Sequence, residues 1–435
     1  MTSSLVILGA GMTGLAAGIA SGAPIFEAAA IPGGICASYY LRPGDTTRLA
    51  QMPEDEEAYR FELGGGHWMF GADAIMRRFL GKYVELTQHA RVSSVFFHEK
   101  PLYVPYPLQN HLRRLGSSLA AQALSEMARP PRSFRTMREW LAANFGPTLC
   151  DLFFFPFHER YTAGLDQTIA PQDAYKSPVS LPDVIRGAFD DVPPVGYNAS
   201  FLYPASDLSV LAANLAQPCA IHYHKRAVAI DRQAKEVAFA DGSRVAYHTL
   251  ISTLPLNVML RLTGISLDIP ADPYSSVCVL NIGAVKGARC PAEHWLYHPA
   301  SRAGFHRVGF YSNVEASFLP KSARTPQDRV AIYVERAYPG GTTLEEGARA
   351  FYIEAVIEEL QAWGFIESVE AIHPTWVDVA YTWAMPDSVW KQQALQALEQ
   401  HDIYQAGRYG RWTFQGIIES LREGLLIGAA LNSKE

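Results

Sequence analysis

A glycine motif close to the start of the sequence limits the possible folds more than any other feature. An apolar run at residues 4–8 leads directly into Gly9, Gly11 and Gly14, which are spaced as GxGxxG. The residues that follow predict a helix of small side chains at 15–21 and a second strand at 24–27. In this order of strand, loop, helix and strand, the motif indicates a dinucleotide-binding unit.

Each part of the motif has a physical task in such a unit. Gly9 permits the tight turn, Gly11 lets the backbone approach a pyrophosphate, and Gly14 lets the helix pack close to the strand. Met12 and Thr13 lie at the predicted helix N-terminus, where unpaired N–H groups and the helix dipole favour a phosphate. The motif therefore predicts both the backbone shape and the ligand charge at this site.

The residues after the second strand distinguish between two dinucleotides. Glu27 ends that strand, where its carboxylate can accept hydrogen bonds from ribose hydroxyls. Gly33 and Gly34 follow, and a three-glycine run that includes Gly65 and Gly66 repeats the pattern. Such glycines either let backbone approach a second bulky group or form flexible loops. Because the sequence has no second GxGxxG for a nicotinamide cofactor, we predict one non-covalently bound FAD. His222 and His224 have no third ligand nearby, so we predict no metal.

The order of the predicted elements indicates an interleaved α/β fold. The 435 residues suffice for two or three domains. Alternating runs at 277–282, 306–311 and 330–335 indicate an antiparallel sheet. We therefore predict a Rossmann-type FAD-binding domain that is interrupted by an inserted helical subdomain and by an inserted, mainly antiparallel sheet subdomain. The predicted boundaries are 1–72, 205–260 and 395–435 for the FAD-binding domain, 73–204 for the helical insertion, and 261–394 for the sheet domain, which we assign to the substrate.

Composition argues against several classes of function. The formal net charge of −6 creates no field that attracts nucleic acid or an anionic membrane. No apolar stretch reaches the roughly 18 residues that a transmembrane helix needs. The five cysteines are scattered without a CxxC pair, which favours a reducing compartment. We expect a cytoplasmic protein that acts on a small molecule and has no nucleic-acid or membrane partner; the sequence does not determine its oligomeric state.

Several motifs resemble those of one enzyme family. Besides the glycine segments, the runs 104–110 (Val-Pro-Tyr-Pro-Leu-Gln-Asn) and 407–412 (Gly-Arg-Tyr-Gly-Arg-Trp) are similar to motifs of the flavin amine oxidase and UDP-galactopyranose mutase group. The resemblance spans nearly the whole chain and is closest to bacterial mutase-like proteins of the protoporphyrinogen-oxidase-like branch. It implies that the FAD is lined by the glycine segments, Glu27 and the residues Val228, Gly407 and Arg408, with His67 beside the isoalloxazine ring.

Three positions depart from the pattern that this resemblance implies. In the mutases, an arginine that clamps the substrate diphosphate precedes a Pro-Tyr-Asn motif, and the matching position here is Phe155. Two diphosphate-binding tyrosines correspond to Trp383 and Phe414, whereas a second family arginine corresponds to Arg307. We expect these residues to face the substrate. Losing a bidentate guanidinium and two phenol donors removes most of what binds a pyrophosphate.

The residues themselves add further substrate-site candidates. His67 follows three glycines, where its imidazole either donates to the flavin and moves a proton or bonds to a backbone carbonyl. Arg307 lies in an alternating strand pattern, where it either faces inward with an anionic partner or lies at the surface. His158 and Arg160 flank the apolar run 152–157, which is either core or part of a substrate pocket.

Three functions stay open on these grounds. The leading hypothesis is a FAD-dependent oxidoreductase that moves a hydride from a small molecule, sugar-derived or otherwise, with His67 and Arg307 at the substrate. The second is a flavin-dependent sugar-nucleotide mutase without net redox change, which needs an intact diphosphate clamp. The third is a non-catalytic protein that FAD stabilises, which needs a chemically silent cleft.

Overall fold

The chain contains both strands and helices throughout its length, as the predicted α/β class requires. The computed structural model describes residues 3–129, 133–172, 179–193 and 199–432. The strands of this described part are β1 Ser3–Leu8, β2 Ile25–Phe26, β3 Ser38–Leu41, β4 Tyr59–Glu62, β5 Leu86–Ala90, β6 Ser93–Phe97, β7 Leu102–Pro105, β8 Ser200–Pro204, β9 Ile221–His222, β10 Ala227–Asp231, β11 Glu236–Phe239, β12 Arg244–Ser252, β13 Tyr274–Lys286, β14 Trp295–Tyr297, β15 Arg307–Phe310, β16 Arg329–Pro339, β17 Ile366–Thr382 and β18 Ile403–Gln405. Its helices are α1 Met12–Ser21, α2 Ala74–Leu80, α3 Ser117–Met127, α4 Met137–Leu149, α5 Phe155–Thr162, α6 Leu181–Phe189, α7 Leu208–Ala216, α8 Leu256–Thr263, α9 Glu346–Ala362, α10 Trp390–Glu399, α11 Gly407–Gly410 and α12 Ile417–Leu431. The fold class is confirmed.

A parallel sheet collects strands from the start, the middle and the end of the chain. β1 lies between β12 and β2, β9 continues beyond β2, and β18 pairs with β12, all in parallel. The first residues of β12 pair instead with β11 in an antiparallel hairpin. Because the carboxyl ends of parallel strands meet at one edge, the loop after β1 lies beside the end of β2.

Helix α1 is held against this sheet by direct backbone contact. Its first seven residues are all buried. A Cβ atom at Gly14 would lie 1.9 Å from the carbonyl oxygen of Gly9, so α1 packs directly on the loop that precedes it. A Cβ at Gly424 of α12 would lie 2.2 Å from the carbonyl oxygen of Thr13, so the C-terminal helix supports α1 from its other side. These contacts fix the position of the α1 N-terminus.

The second large sheet is mainly antiparallel, and its two faces pack into two different hydrophobic cores. Its order is β17-β13-β16-β15-β14-β6-β7, and the β14–β6 pair is parallel. Alternation along β13 sends Val277 and Val279 into the core shared with α1, and Leu280 and Ile282 into the core beneath α9. Tyr333 of β16 lies on the α1 side as well. The α1-facing side of this sheet therefore forms a wall opposite the glycine loop.

Some elements were not visible in the sequence. The predicted strands 277–282, 306–311 and 330–335 correspond to β13, β15 and β16. The 17-residue strand β17 was missed, because its exposed and half-buried residues do not alternate regularly. The predicted helical insertion also contains β5 to β8, of which β6 and β7 extend the large sheet. None of the described helices is long and apolar enough to cross a membrane.

Candidate functional site

A cleft of about 580 Å³ is lined by residues from both large sheets. We call one part of it the glycine end, which is formed by Gly9, Gly11, Met12, Thr13, Glu27, Gly33, Gly34, Gly407 and Arg408. We call the other part the aromatic end, which is formed by Phe70, Tyr106, Phe157, Tyr161, Trp295, Tyr297 and Tyr381. The two ends belong to one continuous space, so a long ligand can occupy both.

The glycine end exposes backbone rather than side chains. Gly11 caps α1 without a side-chain hydrogen bond to the first helical N–H groups. No atom lies within 4 Å of the place where a Cβ of Gly11 would stand, so the cleft is open at that point. Gly33 and Gly34 have φ angles of 109° and 57°, which disfavour most other residues. The helix dipole and the free amides together suit a phosphate group.

Glu27 ties the glycine loop to the strand that follows it. Its Oε2 accepts a hydrogen bond from the N–H of Ala10 at 2.7 Å, and its Oε1 accepts one from Ala29 at 2.7 Å. A carboxylate oxygen can accept a second bond, so both oxygens remain available to hydroxyl groups of a ligand. Glu27 is therefore both a brace for the loop and a potential ribose acceptor.

Arg408 is the cation of the glycine end. Its guanidinium donates to the carbonyl oxygens of Ala380 and Gln415 at 3.0 and 3.3 Å. Its Cζ lies 4.5 Å from the ring centre of Phe414 and 5.6 Å from that of Tyr381. In the described ranges no carboxylate forms an ion pair with it, so its positive charge is available to an anionic ligand.

The predicted cofactor residues divide into those that line the cleft and those that do not. Gly14, Gly65 and Val228 are not among the lining residues. Gly14 packs on Gly9, and Val228 lies on β10 with half of its surface exposed. The remaining predicted cofactor residues line it: Gly9, Gly11, Met12, Thr13, Glu27, Gly33, Gly34, Gly66, Gly407 and Arg408. An open helix N-terminus and a carboxylate acceptor at a strand end suit the pyrophosphate and ribose of a dinucleotide, and Arg408 adds a positive charge.

The second glycine run has a packing role that the sequence did not reveal. A Cβ at Gly66 would lie 2.6 Å from the Tyr333 ring, and one at Gly65 would lie 2.8 Å from Oε1 of Glu335. These glycines are therefore required by their protein neighbours, whether or not a ligand is nearby. The run also carries His67 into the cleft, where its Nδ1 lies 2.8 Å from the carbonyl oxygen of Gly65.

A continuous aromatic wall forms the other end of the cleft. The ring centres of Tyr106 and Tyr297 are 4.6 Å apart, and Phe157 meets Tyr297 edge-on at 5.4 Å. Phe157 then stacks on Tyr161 at 5.7 Å, and Tyr161 lies 4.7 Å from Tyr381. The predicted His158 also lines the cleft, and its Nδ1 lies 2.8 Å from the carbonyl oxygen of Phe154. The wall therefore offers flat apolar faces with few free polar groups.

Arg307 faces inward and has the anionic partner that its position required. Its Nε donates to Oε2 of Glu335 at 3.0 Å, and its Nη2 contacts both carboxylate oxygens at 2.5 and 2.6 Å. Burial alone would raise the pKa of Glu335, but Arg307 and then His306 lower it to about 2. Tyr381 donates to the same carboxylate at 3.2 Å. Burial lowers the pKa of His306, although Glu335 opposes this shift, so its imidazole is neutral near pH 7.

Three of the five predicted substrate residues lie outside the cleft lining, and this corrects the expectation. Phe155 begins α5 with its ring 4.0 Å from the Arg138 guanidinium. Arg160 donates to the carbonyl oxygen of Pro156, one turn earlier in the same helix. Trp383 is 2% exposed, and its Nε1 donates to Ser275 at 2.8 Å. Phe414 and His158 do line the cleft.

The cleft also contains residues that sequence reasoning missed. Glu335 is the most important, and a signal for it existed: β15 and β16 pair in antiparallel register with Arg307 opposite Glu335. An inward arginine on one strand and a glutamate on its neighbour predict such a pair. No signal linked Tyr161, Tyr297 and Tyr381, because their segments are far apart in the sequence. In the part of the chain that the structure describes, no group of three or more His, Cys, Asp or Glu residues could hold a metal ion.

Comparison with known proteins places this architecture among known folds. No protein-family model matches the sequence, and neither does any curated protein. A crystal structure of reduced UDP-galactopyranose mutase matches with a TM-score of 0.82 and 22% identity, over 100% of this chain and 96% of that one. A putative protoporphyrinogen oxidase from Exiguobacterium gives 0.68 and 14% over 100% of both chains, and putrescine oxidase bound to putrescine gives 0.57 and 15% over 99% of both. The chain therefore has the fold of the flavin amine oxidase and UDP-galactopyranose mutase group.

Proposed function

We propose that the protein is a FAD-dependent oxidoreductase that acts on a small molecule in the aromatic end of the cleft. The observation that carries this proposal is the continuity of the cleft. An end that suits a dinucleotide opens directly into an end that suits an organic substrate, so both ligands can meet inside one cleft. FAD, when bound, supplies the hydride acceptor; the chain supplies binding, orientation and exclusion of water.

The glycine end holds the cofactor through groups already oriented for it. The amides of Met12 and Thr13 and the charge of Arg408 bind the diphosphate, and Glu27 binds the ribose. Because Glu27 is braced by two backbone amides, little side-chain entropy is lost when it binds a hydroxyl. The flavoprotein assignment therefore rests mainly on backbone geometry.

His67 is the candidate for moving a proton at the substrate. A carbonyl oxygen can only accept, so the proton shared with Gly65 belongs to Nδ1 of His67. In the neutral imidazole, Nε2 is then the acceptor. Arg307 is a positioning residue in this proposal, because its Nε and Nη2 are held by Glu335.

Anaerobic spectroscopy tests the proposal. Purified protein should be yellow and should release intact FAD on acid precipitation. Its oxidised absorbance should bleach stoichiometrically with one member of a panel of amines, polyols and neutral aromatic alcohols, and should return when an acceptor is added. Colourless protein that takes up NAD but not FAD would overturn the cofactor assignment. Failure of every compound in a broad panel to bleach a stably yellow protein would count against the oxidoreductase.

A sugar-nucleotide mutase is the second candidate, because the mutase structure gives the higher TM-score of those compared above. This alternative needs a binding site for a second diphosphate. The cleft offers Phe414 where the resemblance expects a phenol, and Arg307 is already paired. Dithionite-reduced protein that isomerises UDP-galactose repeatedly without consuming reductant would establish the mutase and exclude the oxidoreductase.

A further inference from the structure

The charges that line the cleft are distributed unevenly. The charged lining residues are Glu27, Arg307, Glu335 and Arg408. Glu27 and Arg408 lie at the glycine end, where the proposed cofactor engages them. The aromatic end is left with Arg307 and Glu335, which neutralise each other through a bidentate ion pair. Among the residues that the structure describes, the permanent charges at this end therefore sum to zero.

Glu335 is buried and held from several sides, so separating it from Arg307 would be costly. The Glu335 side chain is 2% exposed and that of Arg307 is 24% exposed. Glu335 also accepts from Tyr381, and His306 Nε2 lies 3.5 Å away. A ligand that captured either partner would leave the other buried without a counter-charge, which costs several kcal/mol.

Either sign of ligand charge is therefore disfavoured at this end. An ammonium group attracted by the aromatic faces would meet the positive charge of the Arg307 guanidinium, which lines the same cleft. A carboxylate or phosphate attracted by Arg307 would meet Glu335. Removing a charge from water without a new partner is costly, whereas an uncharged ring loses little and gains contact with the wall.

We propose that the aromatic end selects uncharged, flat, ring-containing molecules and rejects both anionic and cationic analogues of the same shape. The inference rests on the proposed function in taking this end as the substrate site. It names the substrate class that the oxidoreductase serves, and it separates that class from the charged ligands of a sugar-nucleotide or amine site. The selectivity arises from the Arg307–Glu335 pair.

A matched set of three probes tests the selectivity. The probes are 2-naphthalenemethanol, 2-naphthoate and 2-naphthylmethylammonium, titrated by calorimetry into protein saturated with FAD at pH 8. The neutral probe should bind at least about tenfold more tightly than either charged one. Equal or tighter binding of a charged probe overturns the inference, and so does failure of the neutral probe to bind.

Variants of the ion pair test its cause. Glu335→Gln leaves Arg307 unpaired, so the preference should shift at least about tenfold toward 2-naphthoate. The double variant Arg307→Gln/Glu335→Gln should restore the preference for the neutral probe, and it removes the unpaired charge if the single variant folds poorly. Glu370→Gln, which breaks a different pair with Arg329, is the matched control and should leave the order unchanged. An unchanged order in Glu335→Gln would show that the pair does not set the selectivity.

Flavin content is measured on the purified protein before FAD is added, and protein that cannot hold FAD is titrated with the probes as the apoprotein, which distinguishes failure of one proposal from failure of the other. A yellow protein that prefers a charged probe overturns the substrate class and leaves the flavoprotein assignment intact. A protein that cannot hold FAD, yet binds the neutral probe preferentially, overturns the proposed oxidoreductase and keeps the selectivity of the aromatic end.

Discussion

The two ends of the cleft are built on different physical principles. The glycine end is made largely of backbone from the segment between Gly9 and Gly34, and Gly407 and Arg408 join it from the C-terminal part of the chain. The aromatic end is made of side chains from segments that are distant in sequence, such as Phe157, Tyr297 and Tyr381. A site made of backbone requires small residues, because a side chain would block access to the amides. A site made of side chains requires several large residues to pack together in a defined geometry.

The electrostatics of the two ends differ in the same way. Arg408 at the glycine end has no carboxylate partner within the described ranges, so its charge is available to a ligand. Arg307 at the aromatic end is neutralised by Glu335. An arginine in a cleft therefore indicates an anion site only when no carboxylate of the protein already pairs with it.

The largest expected effect is a loss of stability when one methyl group is added at Gly14, beneath the glycine end. In Gly14→Ala the new Cβ would lie 1.9 Å from the carbonyl oxygen of Gly9, so backbone must move. We expect the free energy of unfolding to fall by about 3 kcal/mol in urea titration, with loss of bound flavin.

Gly11→Ala is the matched control for that change. Its Cβ would meet no atom within 4 Å, so the stability of the apoprotein should change by less than about 1 kcal/mol. The methyl group nevertheless occupies the space that a pyrophosphate needs, and the flavin-to-protein ratio should fall sharply. A Gly11→Ala variant with full flavin content would contradict a backbone-built cofactor site.

The Arg307–Glu335 ion pair at the aromatic end should make the free energy of unfolding depend on pH. The pKa of Glu335 is about 2 in the folded chain against an ordinary 4.5. Its stabilisation is therefore complete above about pH 4.5 and is lost as the pH falls toward 2. Relative to Glu335→Gln, the wild type should be more stable by about 3 kcal/mol at pH 6, and this difference should shrink at pH 3.

Urea unfolding of both proteins at the two pH values measures that difference. Glu370→Gln again serves as the control, because its partly exposed pair should contribute less than about 1 kcal/mol at either pH. A wild-type advantage over Glu335→Gln that is the same at pH 3 and pH 6 would show that Glu335 has an ordinary pKa.

A smaller effect is expected at Glu27. In Glu27→Gln one carboxylate oxygen becomes an NH₂ group, which cannot accept from Ala10 or Ala29. Loss of a charged acceptor should weaken FAD binding by about tenfold to a hundredfold in fluorescence titration. Glu54→Gln, on an exposed loop, should bind FAD as the wild type does. Equal affinities in all three proteins would exclude Glu27 from the cofactor site.

The smallest effect is expected in UDP binding, and it compares Phe414, which lines the cleft, with Phe155, which does not. Wild-type protein should bind UDP no better than about millimolar in calorimetry. Phe414→Tyr adds a phenol beside Arg408 and should improve UDP binding a few-fold. Phe155→Arg should give no improvement, because Phe155 does not line the cleft. Micromolar UDP binding by the wild type, or a gain in Phe155→Arg, would restore the mutase interpretation.

The sequence was most informative about features that depend on residues close together in the chain. The α/β class and the main sheet strands followed from hydrophobic periodicity. Local sequence also placed Gly9, Gly11 and Glu27 in one candidate site, because loop, helix and strand end are adjacent in the chain. It was less successful at Phe155 and Trp383, whose positions were inferred by matching motifs. Whether such residues face a cleft depends on helix rotation and on packing against Arg138 and Ser275, which a motif does not record.

By itself, the sequence determined the fold class and the glycine-lined turn, since GxGxxG specifies local backbone geometry through the absence of side chains. The tertiary structure decided the charge and shape of the other end. Only the register of β15 against β16 places Glu335 opposite Arg307, and only the packing of α5 against the large sheet assembles the aromatic wall. The physical reason is the sequence separation between the residues that interact. Backbone conformation depends on neighbouring residues, whereas an ion pair or a ring stack depends on contacts between residues that are far apart in the sequence.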